Sequence, residues 1–304
     1  MTTRLVVGAF SPSVLLSVAR RTGRLDEAGL AVEEVPVTSS PGQFRSLVDG
    51  DLDAAFTSPD NVLAYRFSPA NPLGRLLDVR IVSAIDRGLG LALYARPGLS
   101  GAEALRGAVL GVDVPVSGFA LAMYAITESL GVPRGEYDLV ALGSTPRRLA
   151  ALLAGECDAT MLNAGNNLLA EEAGCVRLAA AADVCAPYLG TVLAVAGEGR
   201  LPEARRLAGA LAATIEDVRA GRVDDVAVEE AAARLATSPE VARRYVDRLT
   251  SPAEGLLPHG LVDPAALETL AGLRRRYLPE PVDGTDVLDR PLDASSGLLD
   301  ADPA

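Results

Sequence analysis

Two carboxylates, Asp60 and Asp113, are the residues of this chain that could act as acid and base. Asp60 follows Pro59, and an acidic residue there equally suits the first turn of a helix, where it faces the positive end of the helix dipole. The remaining chemical inventory is thin. All 28 basic residues are Arg, which excludes a catalytic lysine, a Schiff base and a lysine-dependent phosphate loop. His259 is the single histidine and stands in the loop Leu257-Pro258-His259-Gly260, so a histidine triad or metal centre has little to work with. Cys157, Cys175 and Cys185 fit neither a disulfide framework nor a zinc site and are expected as small buried apolar residues. No metal and no cofactor are expected. Asp, Ser, Asn, Tyr and Arg are left to do the work.

Those groups cluster where apolar runs give way to helix-like runs. Four such places carry a Ser/Thr-Pro step: Ser11-Pro12, Ser40-Pro41, Ser58-Pro59 and Thr145-Pro146. Ser or Thr can cap the free N–H groups of a helix, and Pro suits its first position because it lacks an N–H that would have no partner there. Each step predicts a strand-to-helix joint, and in an open parallel sheet such joints lie on the edge where ligands bind. The candidate binding residues are therefore Phe10, Ser11 and Ser13, then Ser39 and Ser40, then Thr57, Ser58 and Asn61. Further along they are Ser117, Gly118 and Phe119, and Asn163 and Asn166. Plain capping without a ligand is the competing role for each serine, and loop duty for each asparagine.

The elements needed to position these residues follow from the hydrophobic pattern. Strands are predicted at 4–9, 30–37, 53–57 and 79–85, with helices at 13–21, 43–48 and 59–67 between them and a polar turn at 23–29. The alternation repeats with strands at 108–112, 138–142, 158–162 and 176–180 and helices at 118–130, 147–154 and 168–173. The apolar segments 89–95 and 188–195 flank this second unit and are expected to cross between lobes. Helices are predicted at 202–220, 223–236, 239–249 and 264–277. The expected fold class is α/β: two doubly wound sheets joined by two crossing strands, with C-terminal helices. Residues 1–95 with 188–290 would form the first lobe, 96–187 an inserted second lobe, and 291–304 a flexible tail.

Several stretches resemble the type II periplasmic-binding-protein fold, in the branch shared by sulfonate-, nitrate- and taurine-binding proteins and thiamine-pyrimidine-precursor synthases. They are Leu5-Val6-Val7-Gly8-Ala9-Phe10-Ser11-Pro12, Gly23-Arg24-Leu25-Asp26-Glu27-Ala28-Gly29-Leu30 and Leu47-Val48-Asp49-Gly50-Asp51-Leu52-Asp53-Ala54-Ala55-Phe56. Leu149–Ala159, Ser238-Pro239-Glu240-Val241 and Leu278-Pro279-Glu280-Pro281-Val282-Asp283 extend the likeness to about residue 288. The resemblance implies a ligand held between lobes at the joints above. It also implies a ligand-contacting side chain near Asp86-Arg87-Gly88, where Arg87 could clamp a carboxylate or sulfonate or serve only the hinge. Tyr188 matches it on the return strand, and Phe10, Phe119 and Tyr188 could sandwich a planar ligand or belong to the core. The histidine and cysteine-rich segment of the precursor synthases have no counterpart, so their self-consuming reaction is not expected.

The net charge of −12 with no basic stripe argues against nucleic acid, and no apolar run reaches the ~18–20 residues of a membrane span. Met1-Thr2-Thr3-Arg4 runs straight into Leu5-Val6-Val7-Gly8 without signal-peptide features or a lipid-attachment cysteine, so the chain as written is expected in the cytoplasm, and in the periplasm or outside the cell if it is a mature form. The expected function is that of a solute-binding protein of the ABC-transporter type holding a small polar or aromatic acid, with a permease as partner if exported. The alternative is a cytosolic enzyme on the same fold, a dehydratase or lyase of a small acidic metabolite like those of the menaquinone pathway.

Overall fold

The computed structural model describes residues 2–278 and 290–302. The first half of the chain alternates strand and helix: β1 (Thr3–Ala9), α1 (Val14–Arg21), α2 (Arg24–Glu27), β2 (Leu30–Pro36), α3 (Ser40–Asp49), β3 (Ala54–Thr57), α4 (Pro59–Phe67) and β4 (Val79–Asp86). A second set follows: β5 (Ala92–Ala95), β6 (Val109–Val112), α5 (Gly118–Ser129), β7 (Asp138–Ala141), α6 (Thr145–Ala154), β8 (Ala159–Leu162), α7 (Asn166–Glu172), β9 (Val176–Ala180) and α8 (Ala181–Val184). After β10 (Thr191–Ala196) the chain is helical, with α9 (Leu201–Arg219), α10 (Asp224–Leu235), α11 (Pro239–Leu249) and α12 (Pro264–Tyr277).

The strands form two five-stranded sheets, in the orders β2-β1-β3-β10-β4 and β7-β6-β8-β5-β9. The βαβ units pair in parallel, β1 with β2 and β3, and β6 with β7 and β8. The crossing strands enter antiparallel: β10 between β3 and β4, β5 between β8 and β9. Both sheets are therefore mixed. Moreover, β5 belongs wholly to the second sheet, so the chain leaves the first sheet after Asp86 and not at residue 95. The turn expected at 23–29 holds the short helix α2, capped at its start by Gly23 in the left-handed region.

Each lobe repeats one structural device. The Asp53 carboxylate accepts the Val6 N–H at 2.7 Å, and the Asp158 carboxylate accepts the Val109 N–H at 2.9 Å. Each Asp also pairs with an arginine, Arg200 and Arg96 respectively. The Gly-x-x-Asp stretches at 50–53 and 155–158 thus turn the chain and pin the start of a strand. The three cysteines are buried and unpaired, and burial pushes the Cys157 and Cys185 thiols up to about 11, away from reactivity.

One core cluster runs through both lobes, carried by α4, α5 and α12, with Leu63, Leu121 and Leu270 all fully buried. Helix α12 packs on both α4 and α5, and the Tyr124 and Tyr277 rings meet edge to face at 5.5 Å. The far C-terminal segment is not the loose tail that its composition suggests. Leu298 is fully buried, its carbonyl accepts the Ile81 N–H, and Asp300 donates its own N–H back to Ile81, extending the first sheet beyond β4. Arg205 holds the Asp300 carboxylate with two nitrogens, at 2.6 and 2.7 Å. The family-like residues 279–283 lie outside the described residues.

Candidate functional site

A cavity of about 130 Å³ lies between the sheets. It is lined by the starts of four helices, each following a strand, so the positive ends of their dipoles share one space. Helix α1 brings Phe10, Ser11 and Ser13; α4 brings Thr57, Ser58 and Asn61; α5 brings Ser117, Gly118 and Phe119; α6 brings Thr145 and Arg148. Asn163, Asp86 and Asp113 complete the polar lining, and Leu15, Phe56 and Leu89 add apolar wall.

At three of the four Ser/Thr-Pro steps the cap position is shifted by one or two residues. Ser13 caps α1 by accepting the Leu16 N–H, and Ser39 caps α3 through the Gly42 N–H. Ser144 holds the cap position of α6 and Thr145 is its first residue. Ser58 stands at the cap position of α4, yet its hydroxyl makes no capping bond and is buried without a partner. Ser11 is freed from capping altogether and accepts a hydrogen bond from Asn166 across the cleft, at 3.3 Å.

Eleven of the expected residues thus share the cavity: Phe10, Ser11, Ser13, Thr57, Ser58, Asn61, Asp113, Ser117, Gly118, Phe119 and Asn163. Six do not line it. Ser39 is a cap; Ser40 lies behind the wall and faces Asp113; Asn166 supports Ser11. Tyr188 is buried against Gly88 at the hinge, outside the cavity. Arg87 donates its backbone N–H to the Gly255 carbonyl and is not among the residues that line the cavity. Asp60 is bound by Arg274, whose Nη1 lies 3.0 Å from both carboxylate oxygens, and it takes the Gly118 N–H as well. It is 1% exposed and does not line the cavity; burial raises its pKa, with Arg274 and the Gly118 N–H opposing.

The cation at the cavity is Arg148, one turn into α6 and 2% exposed. Its Nη1 donates to the Gly143 carbonyl at 2.5 Å, and its Nη2 to Thr145 Oγ1 at 3.0 Å and the Met161 carbonyl at 3.3 Å. All three partners are neutral, and its Nε is buried and unpartnered. Burial pushes the guanidinium down to about 10, with Asp113 pulling the other way. The sequence signal for it was the fourth Ser/Thr-Pro step, which places Thr145 and the first turn of α6 beside the other joints.

Two carboxyls line the same cavity, and Asp113 is the one that acts on this cation. Burial raises Asp113 above the usual carboxylate range, against the pull of Arg148 and Ser40. Asp86 closes β4 at the hinge, accepts the Gly88 N–H at 2.7 Å and is pushed up to about 6 by burial, with Thr191 and Gly88 opposing. A carboxyl that is harder to ionise in the folded chain binds more protons there, so its contribution to stability is greatest below about pH 4 and is lost as pH rises toward 6. Relative to the wild type, Asp86→Asn is therefore expected to gain roughly 2 kcal/mol of unfolding free energy between pH 4 and pH 7, since an unfolded aspartate is already partly ionised at pH 4 and each remaining pK unit is worth ~1.4 kcal/mol. Urea titrations of the two proteins at both pH values read this difference directly.

The lobes touch around the cavity. Ser144 donates its N–H to the Thr38 carbonyl at 3.1 Å, and Asn163 donates to the Gly88 carbonyl at 3.1 Å. Arg244 of α11 pairs with Glu171 and Glu172 of α7, and Arg276 of α12 pairs with Glu128 of α5. No helix among the described residues is long and apolar enough to cross a membrane.

No protein-family model matches the chain, and no curated protein matches it by sequence. Solved structures do match over nearly full length. The alkanesulfonate-binding protein SsuA from Xanthomonas axonopodis pv. citri, bound to MOPS, superposes with a TM-score of 0.72 at 15% identity, covering 93% of this chain and 96% of that one. The ligand-binding component of an ABC-type import system from Staphylococcus aureus, with zinc bound, gives 0.72 at 14% identity, covering 92% and 93%. A Candida albicans protein described as defining a new family with the generic periplasmic binding protein fold gives 0.72 at 15% identity, covering 99% and 97%. Two mixed sheets joined by two crossings, superposing in this way over more than nine-tenths of the chain, give this protein the two-lobed periplasmic-binding-protein fold.

Proposed function

We propose that this chain is a solute-binding protein that clasps a small polar or aromatic acid between its lobes and delivers it to an ABC-type importer. The observation that carries this is the convergence of four helix starts and one buried, neutrally partnered guanidinium on a single cavity. Structural neighbours that bind sulfonates or serve import systems support the transport role. Capture for import puts the protein outside the cytoplasmic membrane, contrary to the cytoplasmic expectation drawn from its first residues, with a transporter permease as its partner.

A second function, a lyase or dehydratase on this scaffold, is kept for one reason: Asp113 is a buried carboxyl of raised pKa that lines the cavity beside Arg148. Native mass spectrometry of the purified protein incubated with candidate acids separates the two. A binder retains a ligand of unchanged mass. Conversion of the ligand, abolished by Asp113→Asn, would establish the enzyme and overturn the binder.

A further inference from the structure

Besides the Ser58 hydroxyl, two side-chain polar groups of opposite character on residues that line the cavity lack a partner. Asp113 Oδ1 is buried with no hydrogen-bond partner, and so is Arg148 Nε. Both residues are at least nine-tenths buried, at 9% and 2% exposure, and both line the cavity. They do not satisfy one another, since the hydrogen bonds of Arg148 all go to neutral oxygens. A buried acceptor without a donor costs free energy until something supplies one. Ser40 approaches Asp113 from the first lobe and still leaves Oδ1 open.

The charge balance points the same way. Arg148 is the single cation of the lining, and Asp86 and Asp113 are its acids. A ligand that is only an anion would answer Arg148, set a like charge near Asp113 and leave Oδ1 unpaired. The lining also carries the rings of Phe10, Phe56 and Phe119, and the Phe119 ring lies 5.9 Å from the Arg148 guanidinium.

Resting on the binding function proposed above, we infer that the ligand is bifunctional: an acid whose anionic group meets Arg148 and which also carries an amino N–H donor for Asp113. Asp113 is then the residue that separates amino acids in this broad sense from plain acids of the same shape. Burial raises the Asp113 pKa although Arg148 and Ser40 pull it down, so a further donor at Oδ1 would favour its charged form.

Two probe pairs that differ only by the amino group test this by calorimetric titration of the full chain: benzoate with 4-aminobenzoate, and propanesulfonate with 3-aminopropanesulfonate. In the pair that binds, the amino member is expected to bind about tenfold tighter or more, one hydrogen bond to a charged group being enough for that. Asp113→Asn, checked for wild-type circular dichroism, is expected to shrink that preference to within about threefold, because an amide no longer offers a charged acceptor. Equal affinity within a binding pair, or a preference that survives in Asp113→Asn, overturns the inference while leaving the binding function standing. Failure of all four probes to bind counts against both.

Discussion

Arg148→Met is expected to weaken binding of an acidic ligand at least about thirtyfold. Removing one partner from a buried charged contact costs about 2–5 kcal/mol, which spans roughly thirtyfold to several thousandfold. The side chain sits at 2% exposure, where water cannot take over the anion. Arg148→Lys is no rescue: an ammonium is a point charge on a flexible stem, and it cannot hold the Gly143 and Met161 carbonyls and the Thr145 hydroxyl while also facing a ligand. The same carbonyls lose donors in the methionine variant, so its stability should fall by about 1–3 kcal/mol. Titration with a ligand recovered from the native protein, alongside urea unfolding, separates the two effects. Affinity within threefold of wild type in Arg148→Met would remove this residue from the binding site.

The largest expected loss of stability is at Asp60. Asp60→Ala strands Arg274, itself 8% exposed, as a buried cation without a counter-ion, which costs about 3–5 kcal/mol. Asp60→Leu combined with Arg274→Met should recover most of that, because removing both charges also removes the cost of burying them. An acid–base role for Asp60 makes the opposite demand, lost turnover at unchanged stability, so urea titration of the single and double variants decides between them. The same carboxylate takes the Gly118 N–H at the start of α5, and a Cβ on Gly118 would lie 2.6 Å from that of Asp60. Gly118→Ala, a gentle change for a helix, should therefore push the two lobes apart along this seam. A larger radius of gyration in X-ray scattering reports it.

Local chemistry made the joints legible. Ser/Thr-Pro steps mark where helices begin to within one or two residues, and eleven candidates drawn from those joints and their surroundings meet at one cavity. What remained hidden depends on partners far along the chain. Asp60 looks like an ordinary first-turn acid until Arg274, 214 residues later, is seen across from it. Arg148 reads as one of two arginines on an amphipathic helix; only the packing of α6 against β8 turns it inward and buries it. Arg87 has the sequence position of a clamp, and the Gly255 loop turns its backbone to another use. Apolar crossing segments are legible as strands, but their sheet membership is a matter of topology, and β5 joins the later sheet for that reason.

Strand β10 completes the first sheet from a point more than a hundred residues beyond β4, its neighbour on one side, and β3, its neighbour on the other. During synthesis the ribosome therefore releases β3 and β4 with a gap between them, while every strand of the second sheet, residues 92–180, emerges as one uninterrupted stretch. Chains assemble by units that can form locally, ahead of those needing distant pairing. The inserted lobe can mature first, and the N-terminal lobe must wait, exposed along an open slot, until Thr191–Ala196 arrives to close it.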